Sequence, residues 1–291
     1  MAAAPAVLIH AGAGPLGTDL RDHSAEVRRV LLDVLVDARE LLEQGATALE
    51  ATVACVVALE DCELFNAGLG SALCSDGTVQ MSAAAMRGSD RAAGAVAGVR
   101  TVRNPINTAE LVLGSPEVLI IGEHADRLAL DHGLPTLPNE AFITKRERVR
   151  LALRSDVARG TVGAVCLDYL GTLAAATSTG GISGQVPGRV GDSPVIGAGT
   201  WADDRVAVSC TGDGEAFIRA AAASRIASLV AHGHPLAEAA ARTLADVGQL
   251  GGRGGLIALG ADGDHALELS TEAMPRGLWR AGAEPAVWIA R

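Results

Sequence analysis

Two spacings of apolar residues organise the first half of the chain. Residues 6–10 form a short unbroken apolar run closed by His10, which predicts a buried strand. Between residues 24 and 44, Val27, Val30, Leu31, Val34, Leu35, Ala38, Leu41 and Leu42 recur every three or four positions. That stretch reads as an amphipathic helix with Ser24 as N-cap and Gly45 as C′ residue. A second helix is predicted over 46–60. The turn-rich stretch Phe65-Asn66-Ala67-Gly68-Leu69-Gly70-Ser71 and the Asp76-Gly77 turn lead into strands at 78–86 and 92–99. Pro105 favours a helix start, 117–121 reads as strand, 123–131 as helix and 135–138 as loop.

Beyond residue 160 the pattern becomes strand-dominated and punctuated by glycine. Apolar strands at 161–167 and 172–177 flank Asp168-Tyr169-Leu170-Gly171, a hairpin signal. A strand at 206–210 is followed by helices at 216–232 and 235–247, and closing strands are predicted at 256–259, 266–269 and 286–289. Helices, then strands, then strands and helices again imply an α/β fold in which sheets pack together under helices. Neither half repeats the other, and no low-complexity linker divides them.

Composition narrows the function classes. The 291 residues are 49% hydrophobic and 20% charged, enough for a large core in one big or two ordinary domains. Aromatics are 2% and glycines number 35, so the core is expected to be built from small and aliphatic side chains. A net charge of −10 with scattered basic residues argues against nucleic acid or an anionic membrane as partner. There is no apolar stretch of bilayer-spanning length and no basic region ahead of the first apolar run, so neither a membrane anchor nor a signal peptide is expected. The five cysteines, Cys55, Cys62, Cys74, Cys166 and Cys210, are odd in number and lack Cys-x-x-Cys spacing. They favour a reducing, cytoplasmic setting and argue against a zinc site.

Two stretches carry candidate chemistry. Gly12-Ala13-Gly14-Pro15-Leu16-Gly17 matches the dinucleotide fingerprint, but Pro15 interrupts it and the helix starts only after residue 23. A nucleotide-binding helix should open inside the motif, so a tight glycine turn is the better reading. The second is Gly160-Thr161-Val162-Gly163-Ala164-Val165, preceded by a segment carrying Lys145, Arg146, Arg148, Arg150, Arg154 and Arg159. Cutting the bond before Thr161 would give one residue a hydroxyl nucleophile and an α-amine with an ordinary pKa of about 8, which can serve as its base. A plain strand start is the alternative. Asn66 reads either as an amide donor or as a turn former.

The ordered set of motifs resembles the plant-type L-asparaginase and isoaspartyl peptidase family of N-terminal nucleophile (Ntn) hydrolases nearly end to end. It comprises His10-Ala11-Gly12-Ala13-Gly14, Asn66-Ala67-Gly68, Asp76-Gly77-Thr78-Val79, Gly94-Ala95-Val96-Ala97-Gly98-Val99, Arg103-Asn104-Pro105-Ile106 and Gly160-Thr161-Val162-Gly163. It continues with Ala176-Thr177-Ser178-Thr179-Gly180-Gly181, Gly188-Arg189-Val190-Gly191-Asp192-Ser193-Pro194, Thr211-Gly212 with Gly214-Glu215-Ala216, Gly254-Gly255-Leu256 and Thr271-Glu272 with Met274 and Arg276-Gly277. The resemblance implies a four-layer α/β/β/α sandwich and autocleavage between Gly160 and Thr161. It implies an alpha subunit of residues 1–160 and a beta subunit of 161–291 in one domain, with two such pairs forming a homodimer. It implies Thr161 as nucleophile, Thr179 as the hydroxyl beside it, Thr211 and Gly212 as oxyanion donors and Asn66 as a further catalytic residue. The substrate head falls to Arg189, Asp192 and Gly214.

A guanidinium grips a carboxylate and a carboxylate accepts from an ammonium, so Arg189 and Asp192 together suit a free α-amino acid head. Asparagine and β-aspartyl dipeptides both present it. An Arg189–Asp192 loop salt bridge is the bland alternative. No cofactor or metal enters this chemistry, although the resemblance implies a structural sodium on backbone carbonyls of the loop before Asn66. A glycosylasparaginase-like amidase and an unprocessed amino-acid-binding homologue are the competing readings. The chain departs from the family pattern at Arg159, where His is frequent, at Gln185, where Lys is common, and at Met86-Arg87-Gly88, where Met-Asp-Gly is usual. The segment from 142 to 161 is also short. These changes bear on processing and leaving-group preference rather than on reaction class.

Overall fold

A computed structural model of the chain describes residues 4–153 and 160–291. Strand β1 (Ala6–Ala11) leads to the short α1 (Thr18–Asp22), the long α2 (Ser24–Glu43) and α3 (Ala48–Glu60). Then follow β2 (Met81–Arg87), β3 (Ala93–Val99), α4 (Pro105–Leu113), β4 (Leu119–Ile121), α5 (Gly122–Asp131) and α6 (Lys145–Ala152). The second half holds β5 (Val162–Leu167), β6 (Leu173–Thr179), β7 (Thr200–Ala202), β8 (Val206–Gly212), α7 (Gly214–Ala220), α8 (Ala222–Ala231) and α9 (Leu236–Gln249). Strands β9 (Gly254–Gly260), β10 (His265–Leu269), β11 (Ala273–Arg280) and β12 (Ala286–Ala290) close the chain.

The fold is mixed α/β. An eight-stranded sheet has the order β12-β11-β1-β5-β6-β2-β3-β4, and a four-stranded sheet the order β10-β9-β8-β7. Every pairing between these strands is antiparallel except β3 with β4. Strand β1 lies between β11 and β5, so chain from both sides of Gly160 shares one sheet.

The side-chain period of two sorts each strand's residues onto two faces. Val7, Ile9, Val162, Ala164 and Cys166 face α2, α3 and α4 in the largest apolar cluster. The other face of the same strands, with Leu8, Val165, Leu167, Leu173 and Ala175, packs onto Ala207, Ile257 and Leu259 of the smaller sheet. The smaller sheet's outer face, with Val208, Cys210, Leu256 and Ala258, packs on α8 and α9. Toward one end of the strands the layer between the sheets turns polar, where His10, Thr161, Thr177, Thr179, Ser209 and Thr211 are all buried. Among the described residues no helix is long and apolar enough to cross a membrane.

Several boundaries differ from the sequence expectation. Helix α2 has His23, not Ser24, at its N-cap, because α1 runs directly into it, while Gly45 takes the left-handed conformation expected of a C′ residue, with φ +93°. Helix α3 starts at Ala48 rather than residue 46, since Thr47 and Glu50 form a reciprocal capping box. The strand expected from residue 78 begins at Met81. Thr78 is held in a turn by Asp76, and Val79 forms an isolated bridge with Leu73 while its own N–H and C=O bond to the Asn139 side chain. The helix expected over 216–232 is two helices, broken where Ala221 adopts a left-handed φ of 47°.

Candidate active site

Gly160 and Thr161 sit at the entry to β5, and Thr161 is 6% exposed. The Thr161 hydroxyl donates to Thr179 Oγ1 at 3.3 Å, and Thr179 Oγ1 donates to the Gly160 carbonyl at 3.0 Å while accepting from the Gly181 N–H at 3.0 Å. The Thr179 hydroxyl thus spends its one proton on the carbonyl that precedes Thr161. Asn66 adds a second donor to that oxygen, with Nδ2 2.9 Å from Gly160 O and 2.7 Å from Gly181 O. Asn66 Oδ1 accepts from the Ala72 N–H at 2.7 Å. The amide is therefore pinned at both ends and does more than form a turn. Only glycine fits at Gly180, where a Cβ would lie 2.6 Å from Asn66 Oδ1 and 2.5 Å from Ser71 Cβ. Arg159 lies outside the described residues.

Strand β8 packs across the intersheet layer on β5 and β6 and carries Thr211 and Gly212 at its end. The Thr211 hydroxyl is buried with no hydrogen-bond partner among the described residues. Such a group is costly unless a ligand uses it. Gly212 holds a φ of +146°, and a Cβ there would meet Arg253 O at 2.4 Å.

Arg189, Asp192 and Gly214 converge as expected, and the alternative of a loop salt bridge does not form. Arg189 does not bridge to Asp192. Its Nε and Nη2 each lie 2.9 Å from a carboxylate oxygen of Glu215, a two-point grip, and its Nη1 lies 3.4 Å from Gln185 Oε1. Asp192 is 3% exposed, and its Oδ2 has no partner among the described residues. Burial pushes its carboxyl up to about 7, only partly opposed by the Arg189 charge. A Cβ on Gly214 would stand 2.9 Å from Asp192 Oδ1 and 3.0 Å from Arg189 Nη2, so the bare backbone here leaves room between them. Glu215 was visible in the sequence only as part of a motif; nothing there ties it to an arginine 26 residues earlier.

On the other side of Gly160 a cavity of about 100 Å³ is lined by Gly12, Gly14, Phe65, Asn66, Arg146 and Gly160. The glycine segment after β1 forms one wall, but not as the tight turn expected: residues 12–17 hold no hydrogen-bonded turn, and the short α1 already starts at Thr18 rather than after residue 23. Gly14 pairs through its backbone with Ala273, and no helix opens within the motif. Among the described residues no group of three or more His, Cys, Asp or Glu side chains is placed to hold a metal. In the loop after α3, Gly68 and Gly70 each pack against a main-chain carbonyl: Cβ atoms there would meet Glu60 O at 2.3 Å and Phe65 O at 2.0 Å.

The family model described as asparaginase matches residues 3–156 and 148–289. An isoaspartyl peptidase of Escherichia coli is 43% identical, the match covering 98% of this chain and 96% of the relative. Proteins named isoaspartyl peptidase/L-asparaginase from Bos taurus and Homo sapiens are 39% and 38% identical, each over 93% of this chain and 92% of their own length. With likeness of this extent over both sides of Gly160, the chain belongs to the asparaginase family.

Proposed function

We propose that the protein is a self-cleaving amidohydrolase that acts on β-aspartyl dipeptides and L-asparagine, with Thr161 as its N-terminal nucleophile. The observation that carries this reading is the Gly160 carbonyl, which takes hydrogen bonds from Asn66 Nδ2 and Thr179 Oγ1 while the Thr161 hydroxyl stands against Thr179. Those two donors oppose the negative charge that develops on this oxygen when Thr161 Oγ1 attacks the Gly160 carbonyl carbon. The C–O bond forms, the C–N bond breaks, and the hydroxyl proton passes to the departing Thr161 nitrogen. Water then hydrolyses the ester, leaving a carboxylate on Gly160 and both a hydroxyl and an amine on Thr161.

In turnover the Thr161 amine takes the hydroxyl proton as Oγ1 attacks the substrate amide and returns it to the leaving ammonia or amine. Thr211 and the Gly212 N–H face the new oxyanion, which suits the unpartnered Thr211 hydroxyl. Arg189 takes the α-carboxylate, and Asp192 the α-ammonium, beside Gly214. Water releases aspartate from the acyl enzyme. The curated names of the relatives support this substrate class.

Residues 1–160 and 161–291 are read as alpha and beta subunits of one domain. The three apolar clusters support a four-layer α/β/β/α arrangement of the Ntn type. The main-chain carbonyls of the loop after α3 are the groups that would hold a structural sodium, which would brace the loop carrying Asn66 without entering the reaction. A homodimer of cleaved pairs remains part of the proposal.

Asn66→Ala removes one of the two donors to Gly160 O. Cleavage is expected to slow by about 10²- to 10³-fold, read as the rate at which full-length chain disappears on denaturing gels. An unchanged rate would remove Asn66 from the mechanism.

Asp192 sets a pH dependence. Its carboxyl is raised from 3.8 to about 7 in the fold, so it loses its charge, and its hold on an ammonium, as pH falls through about 7. The dissociation constant for L-aspartate is expected to rise toward tenfold per pH unit below that point, and Asp192→Asn to flatten the dependence while weakening binding; calorimetry between pH 5 and 9 checks both. The sign for stability is opposite. The stability linked to this raised carboxyl is present below 3.8 and is lost as pH rises through about 7.

A further inference from the structure

Beneath the candidate site lies a chain of buried hydroxyls that the reaction does not use. His10 Nε2 is 2.9 Å from Ser209 Oγ, Ser209 Oγ is 2.7 Å from Thr177 Oγ1, Thr177 Oγ1 is 2.7 Å from Thr200 Oγ1, and Thr200 Oγ1 is 2.9 Å from the Ser193 carbonyl. His10, Thr177, Thr200 and Ser209 are all 0% exposed. His10 and Thr177 belong to the eight-stranded sheet, each opposite Gly163, while Ser209 and Thr200 are cross-strand partners in the smaller sheet. Gly163 makes the junction: a Cβ there would stand 2.0 Å from Ser209 Oγ and 2.5 Å from His10 Nε2. Ser209 of one sheet is therefore pegged into the gap above a glycine of the other.

The Thr200 hydroxyl shares its one proton between two acceptors, the Ser193 carbonyl and Thr177 Oγ1. Either hydroxyl of the Thr177–Ser209 pair can donate, and Ser209 closes the chain on His10 Nε2. His10 Nδ1 has no hydrogen-bond partner among the described residues. Burial lowers the imidazole to about 3 against the opposing pull of the Thr161 backbone, which keeps it neutral.

The chain's members stand in register with the site. On a strand, residues two apart share a face. Thr177 is two residues before Thr179, Ser209 two before Thr211, Gly163 two after Thr161, and Ser193 directly follows Asp192. We infer that this buried hydroxyl chain is a spacer that fixes the head-group loop relative to the threonine end of the site, making Thr177, Thr200 and Ser209 positioning residues for the aspartyl substrate. The inference rests on the proposed function. A chain of buried hydroxyls hydrogen-bonded end to end holds strand separation more narrowly than apolar packing of the same volume. The link closest to the loop is Thr200, whose hydroxyl bonds to Thr177 and Ser193 and to none of Gly160, Asn66, Thr161 or Thr179.

Thr200→Val keeps the shape and removes the hydroxyl, so it separates positioning from packing. Full-length wild type, Thr200→Val and Thr200→Ser would be compared for cleavage rate, L-aspartate dissociation constant and thermal midpoint. The expected result is aspartate binding weakened about tenfold in Thr200→Val and restored in Thr200→Ser, with cleavage within about twofold of wild type. A merely structural role would lower the thermal midpoint and leave the dissociation constant alone, and that result overturns the inference, as does equal loss of cleavage and binding. Wild type that binds no aspartate would remove the functional reading and this inference with it. Wild type that binds, with Thr200→Val binding equally, would remove the inference alone.

Discussion

Thr161→Ala is expected to leave one uncut chain and to lower hydrolysis of L-asparagine and β-aspartyl dipeptides by at least about 10⁴-fold. The substitution removes the atom proposed to attack in both reactions and frees no amine to act as base. It should change the fold little. Thr161 precedes β5 rather than lying within it, and its hydroxyl makes one hydrogen bond, to Thr179, at 3.3 Å. Thr179 keeps its bonds to Gly160 O and Gly181 N. Circular dichroism and thermal unfolding should therefore match wild type while turnover is lost. Residual turnover within tenfold of wild type would place the nucleophile elsewhere.

Arg189→Ala is expected to lower kcat/KM by about 10²- to 10³-fold with cleavage between Gly160 and Thr161 retained, equivalent to about 3 to 4 kcal/mol. Three causes act together. The α-carboxylate loses its two-point partner, Glu215 loses the guanidinium it holds at 2.9 Å, and the buried Asp192 loses the charge that partly offsets its burial. The Asp192 carboxyl should then rise further above about 7, moving the acid limb of aspartate binding to higher pH. Arg189→Lys should recover only part of the loss, because an ammonium cannot grip Glu215 and substrate with a planar fork. Steady-state kinetics across pH, with gels for cleavage, distinguish this from a folding defect, which would impair both activities.

What was legible in the sequence divides along local and long-range lines. The period of α2 and the apolar runs of β1, β5 and β6 declare themselves, because burying one face dictates the residue pattern. The break at Ala221 does not, since alanine favours the helix that it here interrupts and no glycine marks the turn. Strand β11 hides its pattern behind Pro275 and Gly277, and β7 is only three residues long. Helix α6 is rich in charge, and its one local signal is Thr144 accepting from the Glu147 N–H.

The site shows the same division. Gly160, Thr161, Asn66, Thr179, Thr211, Gly212, Arg189, Asp192 and Gly214 stand out from motifs, and the structure brings Asn66 and Thr179 onto the Gly160 carbonyl, at the bond proposed to be cut. The partner of Arg189 is not legible, because Glu215 lies 26 residues away and only the folded loop brings the two together. The hydroxyl chain under the site was less legible still. Each member alone reads as an ordinary strand residue, and only the register of two facing sheets lines them up.

The central claim is that this chain makes its own nucleophile, and intact-protein mass spectrometry with N-terminal sequencing tests it most directly. Freshly purified wild type, followed over days at neutral pH, should resolve into fragments 1–160 and 161–291, the second beginning at Thr161, while Thr161→Ala stays whole. A wild-type chain that stays at 291 residues, or a cut at any other bond, would contradict the account.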